Sequence, residues 1–385
     1  MFVNTILNRN PGLVDWALYA HQNGQLLPNT YVIDLDTVAQ NAQTMAKTAS
    51  TCGLNLYMMT KQIARNPIVC QTVYQCGIRK AVAVTMDEAL TLHSLGIPIG
   101  HLGHLVQIPE HQVDQALSLN PEVITVMDLE NAQKIARHAQ RIGRCQDLLL
   151  RVTGPDDMLY AQQRGGIAPA ELETSIEQIE SLCGVRVVGF TAFPCYSVDW
   201  SIGQTVKTTN YSTLMQAVAI ARRMGICVRQ INAPGGNGSD FFAEAARDGV
   251  THLEPGHSLT GTTYQNAVDD QCAEKPAMVY LTEVSHNWNG KSCVFGGGFY
   301  GRARINHAIV RENGTFSIKK AFAPTPGNID YYGELDCRLP VGTGVVYAFR
   351  TQIFMLHSDV AIVAGLSEGR PKLLGIFGKN GMKLQ

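Results

Sequence analysis

The sequence predicts an α/β fold, a (β/α)8 barrel of the TIM type followed by a β-rich C-terminal domain. Three observations lead there. From residue 30 onward, short apolar runs rich in β-branched residues alternate with longer segments of helical period, as successive β-α units do. After about residue 275 the pattern changes to strands separated by Gly-rich turns. Finally, 385 residues exceed one typical core but suit a barrel of about 250 residues plus a smaller domain.

Candidate barrel strands lie near 54–60, 80–85, 99–102, 123–127, 148–152, 185–191, 228–233 and 252–254, eight in all. Amphipathic helices fall between them, among them MDEALTLHSLG, DLENAQKIARHAQRIG, PAELETSIEQIESLCG and STLMQAVAIARRMG, the last two closing on the Gly expected at a helix end. Eight repeats favour a closed ring over an open doubly wound sheet, which usually has fewer repeats and often a Gly-rich turn after its first strand. The C-terminal strands are read in VYLTEVSHNW, KSCVFGGGFYG, RLPVGTGVVYAFRTQIF and DVAIVAG. The expected division is an N-terminal helical segment 1–30, a barrel 31–272 and a C-terminal β-domain 273–385.

Charged residues make up 16% of the chain, apolar ones 45%, and the net charge is −1. That balance excludes a disordered chain and supplies no field to hold nucleic acid or an anionic membrane. The ten cysteines are scattered, with no CxxC pair and no close His/Cys spacing, so they read as thiols of a reducing compartment and no metal site is expected. The N-terminus lacks a basic cluster followed by an apolar run, and no stretch approaches the roughly 20 apolar residues that span a bilayer. A cytoplasmic protein is expected.

In such a barrel the reactive groups sit at the C-terminal ends of the strands. The first strand is followed by Lys61, in LNLYMMTKQIARNP. A lysine at a barrel mouth is poorly solvated, which disfavours its charged form and readies the amine for imine formation; the alternative is a surface lysine starting a loop. The seventh strand ends in INAPGGNGSDFF, with Gly235, Gly236, Gly238 and Ser239, and the eighth in HLEPGHSLTG, with Glu254. Glycines let backbone N–H groups approach a phosphate, and Ser239 adds a hydroxyl, in the two loops where this architecture often binds one.

With these residues the chain resembles the pyridoxal-phosphate (PLP) enzymes of fold type III, the alanine racemase and amino-acid decarboxylase superfamily, and within it the YhfX-like branch. The resemblance covers nearly the whole barrel. YVIDLDTVAQNAQTMA looks like the family's opening segment, and Lys61 falls on the Schiff-base lysine. LLLRVTG with QQRGGI resembles the strand and loop that set a basic residue near the cofactor's phenolic oxygen, which nominates Arg164. Ser239 and Gly256 match phosphate-contacting positions, and Glu254-Pro255-Gly256 matches the decarboxylase branch, where a carboxylate rather than an arginine faces the pyridine nitrogen. A carboxylate keeps that nitrogen protonated, so the ring can accept a carbanion's electron pair.

The resemblance has departures. Ala192 stands where a histidine usually stacks on the cofactor, and Arg65 where racemases carry a phosphate-contacting tyrosine. Tyr300 lies at about the interval of the racemases' catalytic tyrosine, which comes from the partner subunit; that implies a homodimer. Cys337 loosely resembles the decarboxylases' cysteine, and His357 with Asp359 resembles the metal pair of related aldolases and dehydratases, though both read better as a buried thiol and as ordinary strand residues. His252 and His257, flanking Glu254, stay unassigned. The resemblance thus implies a PLP enzyme acting at the α-carbon of an amino acid or related amine, open between racemase or epimerase and decarboxylase or lyase. Two other readings remain: a non-catalytic protein that buffers PLP, and a PLP-free barrel aldolase forming its imine on Lys61.

Overall fold

The alternation in the sequence is realised as a closed ring of eight parallel strands, seen in a computed structural model that describes residues 2–236, 238–322, 324–325 and 327–385. In chain order the elements begin with α1 (Phe2–Arg9), α2 (Pro11–Gln22), β1 (Thr30–Asp34) and α3 (Leu35–Cys52). The repeats follow as β2 (Asn55–Met59), α4 (Pro67–Gln75), β3 (Lys80–Ala83), α5 (Met86–Ser94), β4 (Ile99–Leu102), α6 (Val113–Ser118), β5 (Val123–Val126), α7 (Leu129–Arg141), β6 (Gln146–Arg151), α8 (Leu172–Glu180) and β7 (Val185–Thr191). A hairpin of β8 (Tyr196–Asp199) and β9 (Gln204–Lys207) precedes α9 (Thr209–Arg223), β10 (Gln230–Asn232), α10 (Phe242–Arg247), β11 (His252–Leu253) and α11 (Tyr264–Val268). The barrel order is β10-β11-β2-β3-β4-β5-β6-β7, so all eight strands read from the sequence take part.

Local chemistry explains why these segments adopt these forms. β3, β4 and β5 are four-residue strands buried along nearly their whole length, as expected of a parallel sheet covered on its outer face. In α7, Asp128 caps the N-terminus by accepting from the Asn131 N–H at 2.7 Å, and Ala132, Ile135, Ala136 and Ala139 form the apolar stripe. In α5, Thr85 caps the first turn while the buried Glu88 carboxylate accepts from the Val84 N–H at 2.8 Å. Gly189 permits closure between β7 and β10, because a Cβ there would lie 1.8 Å from the Gln230 carbonyl oxygen.

The chain clusters into two units, one of residues 45–59 and 74–255 holding the whole barrel, the other of residues up to 44, 60–73 and 256–385. The second is built on a nine-stranded sheet formed by β1 together with β12 (Met278–Trp288), β13 (Lys291–Phe295), β14 (His307–Glu312), β15 (Thr315–Phe322), β16 (Tyr332–Leu335), β17 (Gly344–Tyr347), β18 (Asp359–Ala364) and β19 (Lys372–Phe377). Against this sheet α2 sets Leu13, Val14, Ala17 and Leu18, which share a core with Val279, Leu281, Ile309, Val346 and Ala361.

The pairing of β1 sets it in the C-terminal sheet. β1 is no barrel strand; it runs antiparallel to β12 and parallel to β18. The reason is pairing: all five residues of TYVID are buried, and a strand buried on both faces needs a neighbour on each edge, which the C-terminal sheet supplies. Residues 60–73 and 256–272 also belong to that unit, so the chain crosses between units where a linear reading draws one border.

Candidate active site

Strand geometry decides which barrel side chains meet. With a period of two, Val123 pairs with Thr125, Leu149 with Arg151, Gln230 with Asn232, and His252 with Glu254 on one face of their strands. One such layer is apolar, with Val123, Leu149 and Val188 in contact. Tyr57 brings an aromatic ring beside His252, centroids 5.3 Å apart, and beside His101 at 6.4 Å. Nearer the strand ends, where the barrel rule puts chemistry, the layer is polar: Thr125, Arg151, Asn232 and Glu254 are all at most 7% exposed.

Glu254 is the centre of this layer. Its Oε1 accepts from the His101 Nδ1–H at 2.6 Å and from the Asn232 amide at 2.8 Å, while His104 Nε2 lies 3.8 Å from Oε2. Burial pushes the carboxyl group's pKa up; the charges of His104 and His101 and the hydrogen bonds from His101 and Asn232 outweigh it, holding the pKa at about 2. On its other side His101 Nε2 meets the Thr125 hydroxyl at 2.5 Å. His101, His104 and Glu254 bring three ligand-type atoms within 4.8 Å of one another, but the lone pair and proton that join His101 to Glu254 are already used in their hydrogen bond. His104 also stands edge-on to Phe193, centroids 5.5 Å apart, the residue beside Ala192.

Neither His101 nor His104 is among the residues nominated from the sequence. The signal was available: GHLGHL ends the third barrel strand, in the position where reactive groups collect.

Arg164 and Arg151 divide the role assigned to that strand and loop. Arg164 is exposed, whereas Arg151 is 1% exposed, donates from Nη2 to the Gln163 carbonyl at 2.8 Å, and keeps Nε and Nη1 buried with no partner among the described residues. Burial lowers its pKa. Gly165 and Gly166, both at positive φ, let the loop return over the strand, since a Cβ on Gly166 would lie 3.1 Å from the Arg151 carbonyl oxygen. A buried guanidinium with two unfilled donors calls for an anion.

Gly235 and Gly236 also have positive φ, and a Cβ on Gly235 would lie 2.7 Å from the Tyr196 carbonyl oxygen, so a side chain is excluded at Gly235. Gly238 precedes a 3-10 turn, Ser239–Phe241, that runs into α10, and Ser239 is 5% exposed.

In the other unit, Lys61 opens a 3-10 turn two residues after β2 ends. Ala64 and Arg65 follow in left-handed backbone, φ 54° and 52°, a strained pair held before Asn66, whose side chain accepts from the Ile68 and Val69 N–H groups at the start of α4. The Arg65 guanidinium lies over the Phe354 ring at 5.6 Å. A Cβ on Gly256 would lie 2.7 Å from Gln62 Oε1. Beyond it, both His257 ring nitrogens and the Ser258 hydroxyl are buried without a partner among the described residues, and burial, then the charges of Arg350 and Lys61, push the His257 pKa well below its ordinary value.

Tyr300 is 5% exposed in the same unit. Burial raises the Cys337 thiol, which disfavours a nucleophilic thiolate. His357 is exposed and Asp359, beside it at the start of β18, has a carboxyl raised by burial.

Pyridoxal phosphate, the cofactor that the sequence resemblance implies, presents a phosphate, a phenolic oxygen and a ring nitrogen, and the donor set fits each. The ionised Glu254 suits a protonated ring nitrogen. Arg151 suits the phenolic oxygen or a substrate carboxylate. The glycine turns with Ser239 suit an oxyanion.

Comparison with known proteins agrees with the fold. Residues 33–264 match the alanine racemase N-terminal domain family, and residues 279–373 match the YhfX-like C-terminal domain family. The YhfX protein of Escherichia coli strain K12 is 39% identical over 386 residues, covering 100% of both chains. Among solved structures, a D-threonine aldolase from Filomicrobium marinum superposes with a TM-score of 0.67 at 16% identity, covering 92% of this chain and 96% of that one. A D-threo-3-hydroxyaspartate dehydratase from Delftia sp. HT23 gives 0.65 at 18% identity, with coverage of 90% and 97%. An alanine racemase from Clostridium difficile 630 gives 0.63 at 14%, with coverage of 92% and 99%. At such identities these structures speak for the fold alone. By its barrel and its C-terminal domain together, the chain belongs to the alanine racemase N-terminal domain family, in the branch that carries a YhfX-like C-terminal domain.

Proposed function

We propose that this protein is a PLP-dependent enzyme acting at the α-carbon of an amino acid or related primary amine. Lys61 is the amine that carries the cofactor and the base or acid that moves the α-proton. When bound, the cofactor supplies an electron sink; the protein's part is to hold it and manage protons. Glu254 holds the ring nitrogen's proton, Arg151 binds the phenolic oxygen or the substrate carboxylate, and Gly235, Gly236, Gly238, Ser239 and Gly256 bind the phosphate.

The observation that carries the reading is Glu254, a carboxylate kept ionised inside the barrel by two histidines and an amide. The Glu254-Pro255-Gly256 turn argues against a PLP-free aldolase acting on a sugar phosphate. The comparison relatives named an aldolase, a dehydratase and a racemase support chemistry at the α- or β-carbon of an amino acid. Where racemisation operates, Tyr300 is the acid on the face opposite Lys61, and the active unit is a homodimer.

The purified protein supplemented with PLP should absorb in the visible, and an amine screen should then reveal α-proton exchange or carbon dioxide release. A protein that stays colourless favours the aldolase reading. One that is coloured yet exchanges no α-proton and releases no carbon dioxide with any amine is a PLP-buffering protein. Tyr300→Phe should abolish solvent-deuterium exchange at the α-carbon under two-base racemisation; unchanged exchange removes Tyr300 from the mechanism.

A further inference from the structure

The barrel interior behind Glu254 holds a feature that the proposed chemistry does not account for. Barrels of this kind are normally filled by branched apolar side chains. Here His101 and Thr125, 0% and 1% exposed, form a directed chain to Glu254, with Oγ1 to Nε2 at 2.5 Å and Nδ1 to Oε1 at 2.6 Å.

We propose that His101 is a positioning residue that fixes the charge and orientation of Glu254, and through it the protonation of the cofactor's ring nitrogen, with Thr125 holding the His101 ring in place. The inference rests on the PLP reading and deepens it.

The proton assignment follows from the partners. An ionised Glu254 only accepts, so the proton of the 2.6 Å bond sits on Nδ1. The Thr125 hydroxyl holds the other ring nitrogen, Nε2, at 2.5 Å, and the low dielectric of a fully buried site strengthens both contacts. His101 and Asn232 both bind Oε1, which pins the carboxylate rotamer, while His104 Nε2 lies 3.8 Å from Oε2. The other groups facing this chain are Tyr57, whose ring lies 6.4 Å from that of His101, His104 at 5.1 Å, and His252, whose charge is coupled to both His101 and Glu254. A metal ion at His101, His104 and Glu254 would have to break the Nδ1 to Oε1 bond, which is why the hydrogen-bonded reading is preferred.

The test uses full-length protein loaded with PLP labelled with nitrogen-15 in the ring, and reads the ring-nitrogen resonance and reductive fixation by borohydride. Wild type should give a protonated ring nitrogen. His101→Leu should still fix the cofactor but shift the resonance toward the unprotonated position. His101→Asn, which can donate from the place of Nδ1, should restore the protonated signal. Thr125→Val, a milder change, should move the resonance the same way by a smaller amount, and it decides the matter if His101→Leu does not fold. A protonated signal unchanged in His101→Leu, or in Thr125→Val where that variant decides, overturns the role of His101 while leaving the PLP reading intact. Wild type that binds no PLP overturns both.

Discussion

Arg151 is where the folded chain departs most sharply from ordinary side-chain economy. A guanidinium 1% exposed, with two donor nitrogens unfilled, costs stability until an anion reaches it. Replacing it by an apolar residue of similar length has an outcome of two opposite signs. Arg151→Met should leave the cofactor-free protein as stable as before or more stable, by up to about 2 kcal/mol in urea unfolding. The same substitution should weaken PLP binding by roughly tenfold or more, because a charge-assisted hydrogen bond is lost. Equal PLP affinity in both proteins removes Arg151 from the site. The resemblance nominated Arg164, thirteen positions along the same loop; sequence identifies a basic segment, whereas which arginine is buried follows from the path of the backbone through Gly165 and Gly166. His101 and His104 were legible in GHLGHL, and a residue-by-residue survey of every strand end finds them.

The elements carry a different lesson. All eight barrel strands were legible because each is a short β-branched or apolar run set off by helical periodicity, and that signal is local. The hairpin of β8 and β9 was not, since QTVK is exposed or half-buried throughout and gives no apolar alternation. β1 was not among the strands read from the sequence, and its place in the C-terminal sheet depends on pairing with residues some 250 and 330 positions away, which no local pattern records. Strand packing is tested most directly at two glycines. A Cβ on Gly189 would meet the Gln230 backbone at 1.8 Å, and one on Gly100 would meet the Tyr57 ring at 2.2 Å. Gly189→Ala should destabilise by more than about 3 kcal/mol or abolish soluble expression, because a main-chain strand must shift; Gly100→Ala should cost less, about 1–3 kcal/mol, because a ring can tilt. The reverse order, measured by urea denaturation, contradicts the closure between β7 and β10.

For the whole molecule, the polar barrel interior predicts how stability depends on pH. Burial, opposed by the charges of Glu122 and Glu254, lowers His252 to about 4 from an ordinary value near 6.5. Between those values the unfolded chain binds the proton and the folded chain does not, so stability falls as pH drops from about 6.5 to about 4, by roughly 3 kcal/mol at most. Glu254 acts in a lower window. Its folded pKa of about 2 lies below its unfolded value near 4.5, so the stability it contributes is complete above 4.5 and is lost as pH falls toward 2. Urea midpoints at pH 7, 5.5 and 4.5 should decline in wild type and decline less in His252→Asn; parallel declines place the acid sensitivity elsewhere. No described helix is long and apolar enough to cross a membrane, and the ten cysteines are free, three of them exposed, so the unfolding series is run with a thiol reductant present.

The claim on which all this turns is that Lys61 carries pyridoxal phosphate. Reducing the PLP-loaded protein with borohydride and mapping the modified peptide by mass spectrometry should find one pyridoxyl phosphate per chain, on Lys61, and none in Lys61→Ala. Label on another lysine, or the same label in Lys61→Ala, would contradict it.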